Sequence, residues 1–358
     1  MNRVFAISSV ACLLAALSGC GNKSDSASSG SASADSSAKS SSSGSSAAGA
    51  AELPKDVDAT VVAELKKLGP CVREEGYRKD GCAAAEGWDK FVEKFIEEDD
   101  LNLTKQKKLA KACFSLVADA NDNIREAAYE CLSTYDDGVE DKKAVISVIL
   151  SKIEGETSDA IRSSMLSALD DMDPPKNGGS DQVLALAKKL EPRDDASFTV
   201  GRLVQVLTPE SKDSEPTAEA FAFAVEQLGK QKQTSQSADL LAAAKSKGAD
   251  ACKALIGLVE TKKGSWAYGM NAMANIEGGC KENNDKVVDV VVAKAAEPDG
   301  YDKGFRTSDA LYLGRLVDKA GFSAEQKGKL QKAIEPVLKN AKDDGIKKTY
   351  QSLLDQLK

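Results

Sequence analysis

From Leu109 onward the apolar residues return every three or four positions. Leu109, Cys113, Leu116 and Val117 fall at i, i+4, i+7 and i+8. Ile124, Ala127, Ala128, Cys131, Leu132 and Tyr135 fall at i, i+3, i+4, i+7, i+8 and i+11. Each set is one stripe along a helix. Asp119-Ala120-Asn121-Asp122 between them reads as a stop followed by an N-cap, so the spacing predicts two antiparallel helices joined by a short turn.

The pattern recurs along the chain. Ile161, Met165, Ala168 and Leu169 repeat the second stripe, and Arg162 follows Arg125 at a spacing of 37. Val200, Leu203, Val204 and Leu207 continue it. Further stripes are Trp266, Met270 and Met273, then Ala310, Leu313, Gly314 and Val317, and finally Ile346, Tyr350, Leu353, Leu354 and Leu357. Second helices are expected to start near residues 122, 157, 194, 232, 264, 302 and 344. Steps of roughly 32 to 42 residues suit stacked helix pairs. Pro174, Pro175, Pro192, Pro209, Pro216 and Pro298 fall between expected helices and Pro336 within one. The β-branched run Val287 to Val292 could form a strand, but its place in the period predicts helix. The expectation is an all-α fold: an α-solenoid of about seven antiparallel helix pairs over residues 101–358, with an N-terminal helical cap over 51–100.

The first fifty residues follow other rules. After Arg3, Val4 to Leu17 is apolar except for Ser8 and Ser9, a run short for a bilayer span. It ends in Leu17-Ser18-Gly19-Cys20, which resembles the lipobox of bacterial lipoproteins. That resemblance implies a signal peptide over 1–19, cleavage before Cys20, and a diacylglyceryl thioether on Cys20 that holds the chain to a membrane of the cell envelope. Gly21, where inner-membrane retention often uses Asp, implies the outer membrane rather than the inner. Gly21 to Ala50 is a Ser, Ala and Gly tract without apolar bulk, and is expected to be disordered. With Cys20 it makes a tether over 20–50 whose reach is roughly 30 Å.

Composition narrows the chemistry. Net charge is −8, the wrong sign for nucleic acid, which needs a basic footprint. Histidine is absent, which removes Ser-His-Asp and Cys-His nucleophile arrangements and the commonest neutral-pH base. No Gly-rich phosphate loop or metalloprotease motif occurs, so neither cofactor nor metal is expected. Six cysteines follow Cys20. An even set in an exported chain reads as disulfides, and six allow fifteen connectivities. The order along the chain favours three local pairs: Cys71 with Cys82, Cys113 with Cys131, and Cys252 with Cys280.

Asp122-Asn123-Ile124-Arg125-Glu126-Ala127-Ala128, continuing to Leu132, resembles the second helix of a HEAT repeat, as do Asp159-Ala160-Ile161-Arg162 to Leu169 and, less closely, Asp344-Gly345-Ile346-Lys347 to Leu354. Pro336 resembles the kinking proline of that family's first helix. The match fades between about 194 and 280, where the Asp-Arg pattern is lost near 232 and 264. The resemblance implies that Arg125 and Arg162 pair with acids such as Asp122 and Asp159, and that second helices line a concave surface carrying Glu126, Glu130, Lys245, Lys247, Arg315 and Lys348. Glu126, Glu130 and Arg315 are the candidate partner contacts.

Other residues read as structural. Asp119, Asn121, Asn123 and Glu130 echo a calcium loop, but Ile124 stands where that loop needs glycine. The carboxylate pairs Asp99-Asp100, Asp136-Asp137, Asp170-Asp171 and Asp343-Asp344 sit at helix ends. Trp266 belongs to a core stripe. Trp88 and Tyr268 are the other suggestive aromatics. Together these readings give a membrane-tethered, non-catalytic lipoprotein that binds or scaffolds an envelope protein. Two rivals remain: an envelope enzyme using carboxylate or Ser-Lys chemistry on cell-wall polymers, and a spacer without a ligand.

Overall fold

The computed structural model describes residues 56–96, 103–209, 211, 214–261, 266–277, 279–296, 307–341 and 343–358. The chain divides into two units, Met1–Ala51 and Glu52–Lys358. The first unit, with Cys20 and the expected tether, lies outside the described residues, as do Asp99, Asp100 and Pro298.

The second unit is helical. Its described helices are α1 Ala59–Lys66, α2 Ala83–Ile96, α3 Leu103–Leu116, α4 Asp122–Thr134, α5 Lys142–Ile153, α6 Asp159–Asp171, α7 Ser180–Leu190 and α8 Ser197–Val206. They continue as α9 Ala218–Gly229, α10 Thr234–Ala243, α11 Gly248–Val259, α12 Trp266–Asn275, α13 Asn284–Ala295, α14 Thr307–Ala320, α15 Ala324–Asn340 and α16 Asp344–Gln356. Val287 to Val292 is helix within α13, and Pro336 lies inside α15. Pro174, Pro175, Pro192, Pro209 and Pro216 all fall between helices. Among the described residues no helix is long and apolar enough to cross a membrane.

Helix starts are set by side chains that satisfy the orphan N–H groups of the first turn. Asn121 accepts from Asn123 N at 3.0 Å and Ile124 N at 3.3 Å. Asp141, Ser158, Thr217 and Asp343 do the same for α5, α6, α9 and α16. Ser323 and Gln326 cap α15 reciprocally. Each such cap contributes about 1 kcal/mol.

The even-numbered helices pack in succession: α4 on α6, α6 on α8, α8 on α10, α10 on α12, α12 on α14 and α14 on α16. The odd-numbered helices do so in part, with α1 on α3, α5 on α7, and α9, α11, α13 and α15 in series. Chain neighbours such as α3 and α4, α7 and α8, and α11 and α12 also pack together. This is the helix-on-helix packing of a stacked helical repeat. The stripes read from sequence fill the interface: Leu132, Ile161, Leu169, Leu203, Met270, Leu313 and Tyr350 are fully buried. Truncating one of these leucines to alanine would cost roughly 2–5 kcal/mol.

The segment expected as a purely helical cap holds a small sheet as well. Arg73–Glu74 and Tyr77–Arg78 pair antiparallel. Glu75 and Gly76 join them with φ of 51° and 87°. Positive φ at both central residues is the turn that matches strand twist in a two-residue hairpin. α1 packs on α3 and α4, and α2 on α3, so this segment belongs to the same compact unit as the repeats.

Candidate interaction surface

The polar face of the even helices is built on arginine–carboxylate pairs. Arg125 Nη2 reaches Asp122 Oδ1 at 2.8 Å, one turn back on α4. The same guanidinium grips Glu156, before α6, through Nε at 3.2 Å and Nη2 at 3.1 Å. Arg162 pairs with Asp159 at 2.7 Å and donates to the Glu156 carbonyl at 2.6 Å. The Asp122 and Asp159 pairs are those the sequence led one to expect; in addition Arg125 ties α4 to the turn before α6, and Arg162 ties α6 to that same turn. On α8, Arg202 pairs with Asp170 of α6 at 3.6 Å. At α10 the pattern lapses and Gln233 takes over. Its Nε2 donates to the Ser197 carbonyl at 2.8 Å, and a Cβ at Gly201 would lie 2.5 Å from its Oε1.

The hairpin closes over α4. Arg73 Nη1 donates to Glu126 Oε2 at 2.5 Å and to Asn123 Oδ1 at 2.9 Å. Asn123 in turn donates to the Cys71 carbonyl at 2.6 Å. Arg78 Nη2 reaches Glu130 Oε2 at 3.0 Å. Cys71 and Cys82 lie in disulfide geometry across the hairpin's base, with Cα atoms 5.8 Å apart. Two of the three candidate contacts therefore change meaning. Glu126 is buried beneath the hairpin with a counterion. Glu130 is partly exposed but already paired, and the protein atoms packed around it push its carboxyl above the ordinary value against the pull of Arg78. Sequence spacing cannot see this, because Arg73 and Glu126 are 53 residues apart.

The other cysteines also meet in pairs: Cys113 with Cys131, Cα atoms 6.1 Å apart, and Cys252 with Cys280, 5.7 Å apart. A scan against models of protein families found no match to this chain, and a search of curated proteins found no relative. The surface has to be read from its own chemistry.

Asn121 and Asn123 are occupied as helix cap and hairpin anchor. Among the described residues no group of three or more His, Cys, Asp or Glu side chains is placed to hold a metal ion. Serine, lysine and paired carboxylates do meet at the ends of α4 and α6. Ser133 donates to Asp171, and Lys142 Nζ lies 2.6 Å from Asp136. Burial raises the Asp171 carboxyl above its ordinary value, with Asp136 adding to the effect and Ser133 opposing it. Trp266 is buried, as expected of a core stripe, with Lys294 Nζ 5.7 Å from its ring centroid. Trp88 is half-buried and stacks on Phe91 of the same helix, ring centroids 5.8 Å apart.

Among the described residues the clefts between repeats include the following two. An apolar one of about 720 Å³ separates α9 from α11, lined by Phe221, Val225, Leu228, Ala254 and Leu258. The other, of about 420 Å³, lies between α14 and α16 and includes Arg315 and Lys348 in its walls. Arg315, the third candidate contact, is exposed. Its Nη1 donates to Asn271 Oδ1 on α12 at 3.0 Å, and its guanidinium lies 5.9 Å from the Tyr312 ring centroid. Tyr268 is 6.3 Å from Tyr312, ring to ring, and is exposed.

Proposed function

We propose that this protein is a lipid-anchored, non-catalytic binding or scaffolding lipoprotein of a bacterial cell envelope, held through Cys20 in the outer membrane. The observation that carries the reading is the order of features in the first twenty residues: Arg3, an apolar run, then Leu17-Ser18-Gly19-Cys20. Pairing of all six later cysteines supports export, since disulfides persist in oxidising compartments. The reading of the body as a HEAT-like α-solenoid of seven antiparallel pairs, α3/α4 to α15/α16 in chain order, is supported by the succession of even helices and by the Arg125 and Arg162 pairs. A rank of helices bearing charges of both signs suits a protein segment rather than a polyanion.

The test is metabolic labelling with a fatty-acid probe, followed by separation of the inner and outer membranes. The wild type should carry label and fractionate with the outer membrane, and Cys20→Ser should be unlabelled. Equal labelling of both proteins refutes the anchor. For the binding role, photocrosslinking in intact cells from residues on the even helices should yield discrete adducts with envelope proteins.

A further inference from the structure

Among the described residues every arginine except Arg315 pairs with a carboxylate. Arg315 is held instead by the Asn271 amide oxygen and the face of Tyr312, neither of which neutralises its charge. Lys348, across the cleft on α16, has no carboxylate partner among the described residues either. One turn before Arg315, Leu311 is 53% exposed, and Tyr268 on α12 is 40% exposed. The cleft beside them is walled by Leu311, Gly314, Arg315, Lys348 and Ser352, with Asp318 as its acidic member. A Cβ at Gly314 would lie 3.0 Å from Gln356 Oε1, so glycine lets α14 and α16 approach here and leaves backbone on the cleft wall.

These features combine. A guanidinium already fixed in one geometry loses little further freedom when an anion arrives. Its bonds to a carboxylate are the strong, charge-assisted kind. Arginine and tyrosine beside an exposed aliphatic residue are the types that dominate binding energy at protein interfaces. We infer that this surface of α12, α14 and α16 receives the partner, and that the segment it receives is an acidic peptide. One carboxylate would lie on Arg315 and Lys348, and an aliphatic side chain of the same segment against Leu311 and Tyr268. The inference rests on the protein-binding reading above and specifies its site. The α4 end of the rank is closed to this use by the hairpin.

Fluorescence anisotropy with the full chain tests it. The probe is a fluorescein-labelled peptide alternating glutamate and leucine, and the control has glutamine in place of glutamate. The acidic peptide should bind saturably and the control about tenfold more weakly or worse, as loss of one charge-assisted contact implies. Arg315→Gln should weaken the acidic peptide by about the same factor, and Lys348→Gln should weaken it further in combination. Lys189→Gln, on α7, should change nothing. Unchanged circular dichroism would verify that each variant folds. Equal affinity for the two peptides, or no effect of Arg315→Gln, overturns the inference, as does binding of phosphatidylglycerol vesicles but not of the peptide. Photocrosslinking in cells separates this failure from that of the broader reading. With p-benzoylphenylalanine in place of Leu311, adducts with an envelope protein should form and be lost with Arg315→Gln. Adducts from Glu130 or Phe198 but none from Leu311 overturn the site alone. Adducts from none of the three overturn both.

Discussion

Replacing Arg73 by alanine should destabilise the protein far more than replacing Arg78, although the two arginines sit on one hairpin and both pair with α4. The difference lies in what each leaves behind. The Arg73–Glu126 pair is desolvated, with side chains 17% and 7% exposed. Without Arg73 the Glu126 carboxylate stays beneath the hairpin with no counterion, and Asn123 Oδ1 loses a donor. Breaking one side of a buried pair costs about 3–5 kcal/mol. The hairpin has only two-residue strands and can let water in, which places the expected cost near 3 kcal/mol. Glu130 is 45% exposed, so losing Arg78 returns it to water at a cost of about 0.2–1 kcal/mol. Urea unfolding followed by circular dichroism measures both. Because a stack of repeats need not unfold as one unit, amide exchange over α4 provides the local reading. Arg73→Met with Glu126→Met should recover most of the loss, since no buried charge then remains. If Arg73→Ala and Arg78→Ala fall within about 0.5 kcal/mol of each other, or if the double variant is no better than Arg73→Ala, the account of the hairpin as an electrostatic clasp is wrong.

Gly138→Ala should cost at least 1–3 kcal/mol by overpacking, because its Cβ would lie 2.4 Å from the Gln106 carbonyl and 2.8 Å from Lys107 N, backbone that cannot rotate aside; an unchanged thermal midpoint would refute the close approach. Removing the Cys113–Cys131 bond, which spans 18 residues, should cost about 3 kcal/mol, and non-reducing peptide mapping of exported protein should recover the two cysteines joined. Alkaline stability should depend on Tyr129, whose hydroxyl burial pushes up to about 12 from 10.0. The unfolded chain then loses its phenolic proton first, so the stability this hydroxyl contributes is full below pH 10 and is lost as pH rises from about 10 to 12, by roughly 2 kcal/mol. Tyr135 and Tyr350, whose hydroxyls burial also raises, add to the fall. Tyr129→Phe should flatten that slope, and a slope unchanged by it would exclude Tyr129 as the cause.

Much of the fold was legible because helices that bury one face must repeat apolar residues at helical spacing. Expected second-helix starts near 157, 194 and 232 correspond to α6 at 159, α8 at 197 and α10 at 234. Those starts are fixed by local chemistry, Ser158 capping α6 for example, and local chemistry is written in adjacent residues. The hairpin was missed for the opposite reason. Its strands are too short to show alternation, and Glu75-Gly76 is a weak turn signal beside the strong helical patterns around it. The cysteine pairs were legible as far as proximity along the chain predicts proximity in space, which holds for Cys113 and Cys131 on consecutive helices and for Cys71 and Cys82 at the base of one hairpin.

Charges were the least legible part of the surface, and the reason is physical. Glu126, Glu130 and Arg315 look alike in sequence: polar positions on second helices. What separates them is whether a distant group has already satisfied the charge. Arg73, 53 residues away, buries and pairs Glu126. Arg78 pairs Glu130 from the same hairpin. Among the described residues Arg315 meets an amide and a ring and no carboxylate. An ion that has a counterion must give it up before it can serve a partner, and that exchange gains little. An exposed guanidinium that is oriented but not neutralised has no such exchange to make. For this reason the proposed binding site lies in the C-terminal repeats and not in the ones with the clearest repeat sequence. The Asp-Arg pattern that makes Arg125 and Arg162 easy to recognise is also what commits them, Arg125 to holding α4 against the turn before α6 and Arg162 to holding the start of its own helix.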